Sequence, residues 1–114
     1  MGYISRDIEE KIINISKQFS CILLTGPRQV GKTMMLEKLD TERKKVTLDN
    51  LQDRELAQKD PALFLQIYKP PILIDEVQYA PILFSYIKIA IDNGAKPGSF
   101  WLTGSQSFAL MKLA

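Results

Sequence analysis

The chain contains no histidine and a single cysteine, Cys21, in 114 residues. The first absence excludes His-based triads and Cys/His zinc sites, and the second excludes a disulfide framework. Cys21 lies in an apolar stretch and reads as a core thiol. Long apolar runs are also lacking. The best candidate for a membrane span, Ile82 to Ile91, is too short and is interrupted by Lys88. The N-terminus has no signal-peptide core, and Met1-Gly2 opens no myristoylation pattern because the sixth residue is Arg6. A cytoplasmic location with no membrane partner is the expectation. Neither sign of charge dominates: 15 Lys and Arg stand against 13 Asp and Glu, for a net charge of +2. That balance gives no support to a nucleic-acid partner. The basic run Arg43-Lys44-Lys45 reads as a solvated loop before a strand. With 46% hydrophobic and 25% charged residues, the composition is that of a globular domain, and the length suits one.

What is present gathers around one stretch. Cys21-Ile22-Leu23-Leu24 reads as a buried strand, and Met34 to Leu39 read as helix. Between them, Gly26-Pro27-Arg28-Gln29-Val30-Gly31-Lys32-Thr33 satisfies G-x-x-x-x-G-K-[ST] at every fixed position. Gly26 and Gly31 permit backbone conformations in which successive N–H groups point inward at a phosphate. The following helix, from Lys32, Thr33 and Met34 onward, aims its N-terminal donors at the same anion. Lys32 is expected to reach the β- and γ-phosphates and the Thr33 hydroxyl to ligate Mg²⁺.

Around this stretch, strands and helices alternate. Ser5 can cap a helix presenting Ile8, Ile12, Ile15 and Phe19 on one face. Val46 and Leu48 alternate with polar residues as a second strand. Asn50 caps a helix to about Lys59, and Asp60-Pro61 starts another that runs to Tyr68. Pro70-Pro71 opens a third strand, Ile72-Leu73-Ile74. Pro81 begins a helix with Leu83, Tyr86, Ile87 and Ala90 on one side, stopped by Asn93-Gly94. Gly98 leads to a fourth strand, Phe100 to Thr103, whose aromatics read as core, and Ser107 can cap a last helix from Phe108 onward. This order specifies an α/β sandwich with a mainly parallel sheet, whose ligand site lies beyond the carboxyl ends of the strands.

Two further pieces end strands at that side. Ile72-Leu73-Ile74-Asp75-Glu76 closes on two carboxylates: Asp75 is placed for the magnesium of a nucleotide near Thr33, and Glu76, pointing elsewhere, for activating the attacking water. Leu102-Thr103-Gly104-Ser105-Gln106 ends in small and polar groups that face the γ-phosphate if this strand lies between the first and third.

Taken together, GPRQVGKT, then LDN with LAQKDPALFLQ, then ILIDEVQYAP, then FWLTGSQSF resembles a family of prokaryotic AAA-type P-loop ATPases of the additional-strand, catalytic-glutamate class. The resemblance covers nearly the whole chain as one domain, residues 1–114. It implies a P-loop sandwich with sheet order 2-3-4-1 and ATP as the nucleotide, in keeping with the lack of an N-K-x-D guanine motif. It also implies Asp75 as the Mg²⁺-linked acid, Glu76 as the catalytic glutamate, and Ser105 or Gln106 as the γ-phosphate sensor. Arg28, Gln29 and Gln78 match the family pattern without an assigned role. Members of the family continue into a fifth strand, a helical lid and a C-terminal domain, so the chain is expected to be C-terminally truncated and to lack the fifth strand. The first strand then becomes an apolar edge and a site of self-association. Two rivals to Mg²⁺-dependent ATP hydrolysis follow, a nucleotide-dependent switch without significant turnover and a non-functional gene fragment.

Overall fold

The computed structural model describes residues 6–27, 31–105 and 109–113. Within these, α1 is Arg6–Ser16, β1 Cys21–Thr25, α2 Lys32–Leu39, β2 Lys44–Thr47, α3 Leu51–Lys59 and α4 Pro61–Ile67. They are followed by β3 at Ile72–Asp75, a single 3₁₀ turn at Val77–Tyr79, α5 at Ile82–Asp92, β4 at Phe100–Gly104 and β5 at Ala109–Leu113.

The helix boundaries follow local chemistry. Asn50 accepts the Asp53 N–H at 3.0 Å and starts α3, and Asp60 accepts the Leu63 N–H at 3.1 Å and starts α4. Pro61 sits at the first helical position, where a missing N–H costs nothing. At the other end of α5, Gly94 takes φ 94°, a left-handed conformation that closes the helix against the Ile91 carbonyl.

The five strands form one sheet in the order β2-β3-β4-β1-β5. β2, β3, β4 and β1 run parallel, with Ile72 and Cys21 both opposite Phe100. This is the order 2-3-4-1 that the resemblance implies. Strand alternation divides the core in two. Cys21, Ile72, Ile74, Phe100 and Leu102 face Phe64, Leu83 and Ile87 of α4 and α5. Ile22, Leu24, Leu73 and Trp101 face Ile12 of α1 and Met35 and Leu36 of α2. Both faces are covered, which is why these strands read as nearly continuous apolar runs. Burial pushes the Cys21 thiol up to about 12, so it stays protonated in the core.

Three expectations need correction. The segment after Phe108 is a strand rather than a helix: β5 pairs antiparallel with β1, Leu23 opposite Met111. The fifth strand is therefore present and β1 is an interior strand, which removes the expected association edge. The physical reason is that the outer N–H and C=O groups of β1 need partners, and a short apolar run can serve as strand or helix. Second, α1 ends at Ser16, so Phe19 leaves the helix face and lies in the turn into β1, its carbonyl accepting the Gly98 N–H at 2.9 Å. Third, Arg43 is not solvated. Its side chain is 6% exposed, stacks 3.9 Å from the Trp101 ring and pairs with Asp40 at 3.3 Å. Burial lowers its pKa while Asp40 opposes the shift. Lys44 and Lys45 are exposed, but they open β2 itself and do not form a loop before it.

Candidate functional site

The carboxyl ends of β1, β3 and β4 meet at one end of the sheet. There the Gly26 N–H donates to the Gly104 carbonyl at 3.0 Å, tying the start of the loop to β4. Gly31 enters α2 at φ 75° and ψ 33°. A Cβ there would meet nothing within 4 Å, so glycine serves this position by its dihedral freedom and not by its size. Lys32 is 3% exposed, and its Nζ donates to the carbonyls of Gly26 at 2.6 Å and Pro27 at 3.2 Å. The ammonium thus lies under the first residues of the loop.

Asp75 collects hydroxyls from three separate segments. Thr33 Oγ1 and Thr103 Oγ1 each donate to Oδ1 at 2.5 Å, and Thr47 Oγ1 donates to Oδ2 at 3.0 Å. A carboxylate only 9% exposed would be costly without such donors, since each charge-assisted bond contributes about 1.5–3 kcal/mol. The Thr33–Asp75 contact joins the phosphate-loop helix to the acidic strand, as the spacing of the motifs predicts.

Glu76 follows at once but faces other partners. Its backbone is left-handed, with φ 59° and ψ 48°, and it is the one non-glycine residue with positive φ among the described residues. Such a conformation costs about 1–3 kcal/mol and persists only where neighbours enforce it. They do so here: the Glu76 N–H donates to Thr103 Oγ1 at 3.1 Å, while Ser105 Oγ and Gln78 Nε2 each donate to Oε1 at 2.7 Å. Thr103 joins the two acids, donating to Asp75 and accepting from Glu76. The two neighbouring carboxylates thus have different hydrogen-bond partners, joined only through Thr103.

Of the sequence-predicted residues, Gly26, Pro27, Gly31, Lys32, Thr33, Asp75, Glu76 and Ser105 are therefore gathered at one end of the sheet. Met34 lies in the first turn of α2 with its side chain 65% exposed, so its place in the site rests on its backbone. Arg28, Gln29, Val30 and Gln106 lie outside the described residues. Sequence reasoning missed Asp49. Its carboxylate comes together with those of Asp75 and Glu76, one oxygen from each lying within 4.8 Å of the others. The signal was the acid of Leu48-Asp49-Asn50 directly after the second strand. Hydroxyl and carboxylate oxygens are the hard donors that suit Mg²⁺, so the donor set fits that ion.

A family described as AAA domain matches residues 18–114. The chain belongs to the AAA-domain family. Two relatives, both described as uncharacterized proteins, from Mycobacterium bovis and Mycobacterium tuberculosis, are each 32% identical over 110 residues. The match takes in 96% of this chain but 25% of each relative, so the chain spans about a quarter of the length of the curated relatives it matches. No solved structure matches the chain. AAA domains are nucleotide-binding domains of ATPase type, and the family implies ATP, typically with Mg²⁺. Among the described residues, no helix of this AAA domain is long and apolar enough to cross a membrane.

Proposed function

We propose that this AAA domain binds Mg²⁺–ATP at the loop from Gly26 to Thr33 and hydrolyses it to ADP and phosphate. The observation that carries the reading is the bond from Thr33 to Asp75, because it sets the loop's hydroxyl against the acid that such sites use for the metal. Thr33, Asp75 and the adjoining Asp49 would hold Mg²⁺, which when bound neutralises charge on the phosphate oxygens. Lys32 supplies a compact positive charge to the β- and γ-phosphates. Glu76 takes a proton from the attacking water as its oxygen bonds to the γ-phosphorus. The electron pair of the breaking P–O bond leaves with ADP, and Ser105 lies beside this exchange on the Glu76 carboxylate.

Calorimetry with Lys32→Ala tests the binding half. Loss of a charge-assisted phosphate contact, about 2–3 kcal/mol, weakens Mg²⁺–ATP binding at least tenfold. Equal affinity in the two proteins would overturn the reading.

A further inference from the structure

Gln78 is the residue of the acidic block to which neither the motif nor the family resemblance gives a task. It lies in the 3₁₀ turn after Glu76, where the Tyr79 N–H bonds back to the Glu76 carbonyl at 3.2 Å. That turn folds the side chain onto the residue two positions before it, and Nε2 donates to Glu76 Oε1 at 2.7 Å. The other end of the same amide is unmatched. Gln78 Oε1 is buried and has no hydrogen-bond partner. The amide lies beside the end of β4: a Cβ on Gly104 would stand 3.3 Å from Gln78 Oε1, a tight approach that glycine avoids.

A glutamine kept for stability would satisfy both of its ends, because a buried carbonyl without a donor is a net cost. Gln78 leaves its carbonyl unmatched and spends its donor on Glu76. Turning the amide over would set its carbonyl oxygen against the Glu76 carboxylate, so the orientation follows from the needs of Glu76. Ser105, the residue after β4, donates to the same oxygen, and the Glu76 backbone is held in a left-handed conformation. Two side-chain donors on one carboxylate oxygen, from two segments, fix a rotamer more firmly than either alone.

We propose that Gln78 is a positioning residue for the hydrolysis assigned to this site: with Ser105 it clamps the Glu76 carboxylate in the orientation that receives the proton of the attacking water. The assignment rests on the Mg²⁺–ATPase reading. Gln78 itself exchanges no proton and touches no phosphate; it acts through Glu76.

The test compares the chain with Gln78→Met, which keeps length and removes both the donor and the unmatched carbonyl. ATP affinity by calorimetry should stay within about twofold and the thermal midpoint should not fall, because the orphaned acceptor is gone. At the same time kcat should drop at least about tenfold, with KM unchanged. Gln78→Glu, which keeps an acceptor but sets a carboxylate against Glu76, should lose turnover in the same way. A Gln78→Met protein with wild-type kcat overturns the assignment and leaves the ATPase reading standing. A lowered thermal midpoint together with weakened ATP binding also overturns it, in favour of a structural role. A wild-type chain that binds ATP without turning it over overturns the hydrolysis reading and this assignment together.

Discussion

Two adjacent carboxylates, Asp75 and Glu76, differ in what holds them. Asp75 is surrounded by threonine hydroxyls, and Glu76 by an amide, a serine and a strained backbone. The difference has a kinetic consequence. Glu76→Gln removes the base while leaving the charge around the phosphates in place, so ATP should still bind and turnover should vanish, about 10²–10⁴-fold or more. Asp75→Asn keeps the shape but halves the hydroxyls' attraction and removes a metal-seeking charge, so the Mg²⁺ dependence of ATP affinity should disappear. Titrations with and without Mg²⁺, beside a phosphate-release assay, separate the two. Wild-type turnover in Glu76→Gln would exclude it as the base. At this scale the sequence was legible where two motifs converge, as in the contact between Thr33 and Asp75. It was silent on Asp49, because an acid after a strand is usually a turn residue, and on the left-handed backbone of Glu76, which only the partners around it enforce.

Elements were legible where their ends are chemically marked. α3 and α4 begin at Asn50 and Asp60 as the capping rules require, and α5 stops at Gly94. Asp60 has a double role: it ends α3, its N–H on the Leu56 carbonyl at 2.8 Å, and its side chain starts α4. Asp60→Ala should therefore cost about 1 kcal/mol and lower the thermal midpoint by roughly 4–8 °C, with the buried Phe64 still holding α4 on the sheet. Differential scanning calorimetry showing an unchanged midpoint would mean that packing alone sets this boundary. Elements that depend on a distant partner were misread. Ser107 offers a helix cap in the sequence, but the state of β5 is set by the neighbouring β1, far away in sequence. Arg43 was misread for a related reason. Its burial depends on Trp101, which a reading of the local basic run cannot see.

For the molecule as a whole, the alternation of strands and helices made a mainly parallel sheet legible, while the order β2-β3-β4-β1 came from the family resemblance and not from the alternation itself. The outer boundary of the sheet was not legible, since which strand closes it depends on pairing at long range. The hydroxyl contacts of Asp75 carry a consequence for the whole sheet. Residues 33, 47 and 103 lie on α2, β2 and β4, and one carboxylate fastens all of them. The site is thus a knot in the chain as well as a place for chemistry. A ligand that tightens it resists opening in segments it never touches. At about a hundred times its dissociation constant, such a ligand adds roughly 2.7 kcal/mol to the free energy of opening. Amide hydrogen exchange should then slow in β2, through Thr47, as well as in the phosphate loop when Mg²⁺–ATP is added. With Thr47→Val the protection should remain in the loop and fade from β2, leaving the strand to breathe on its own.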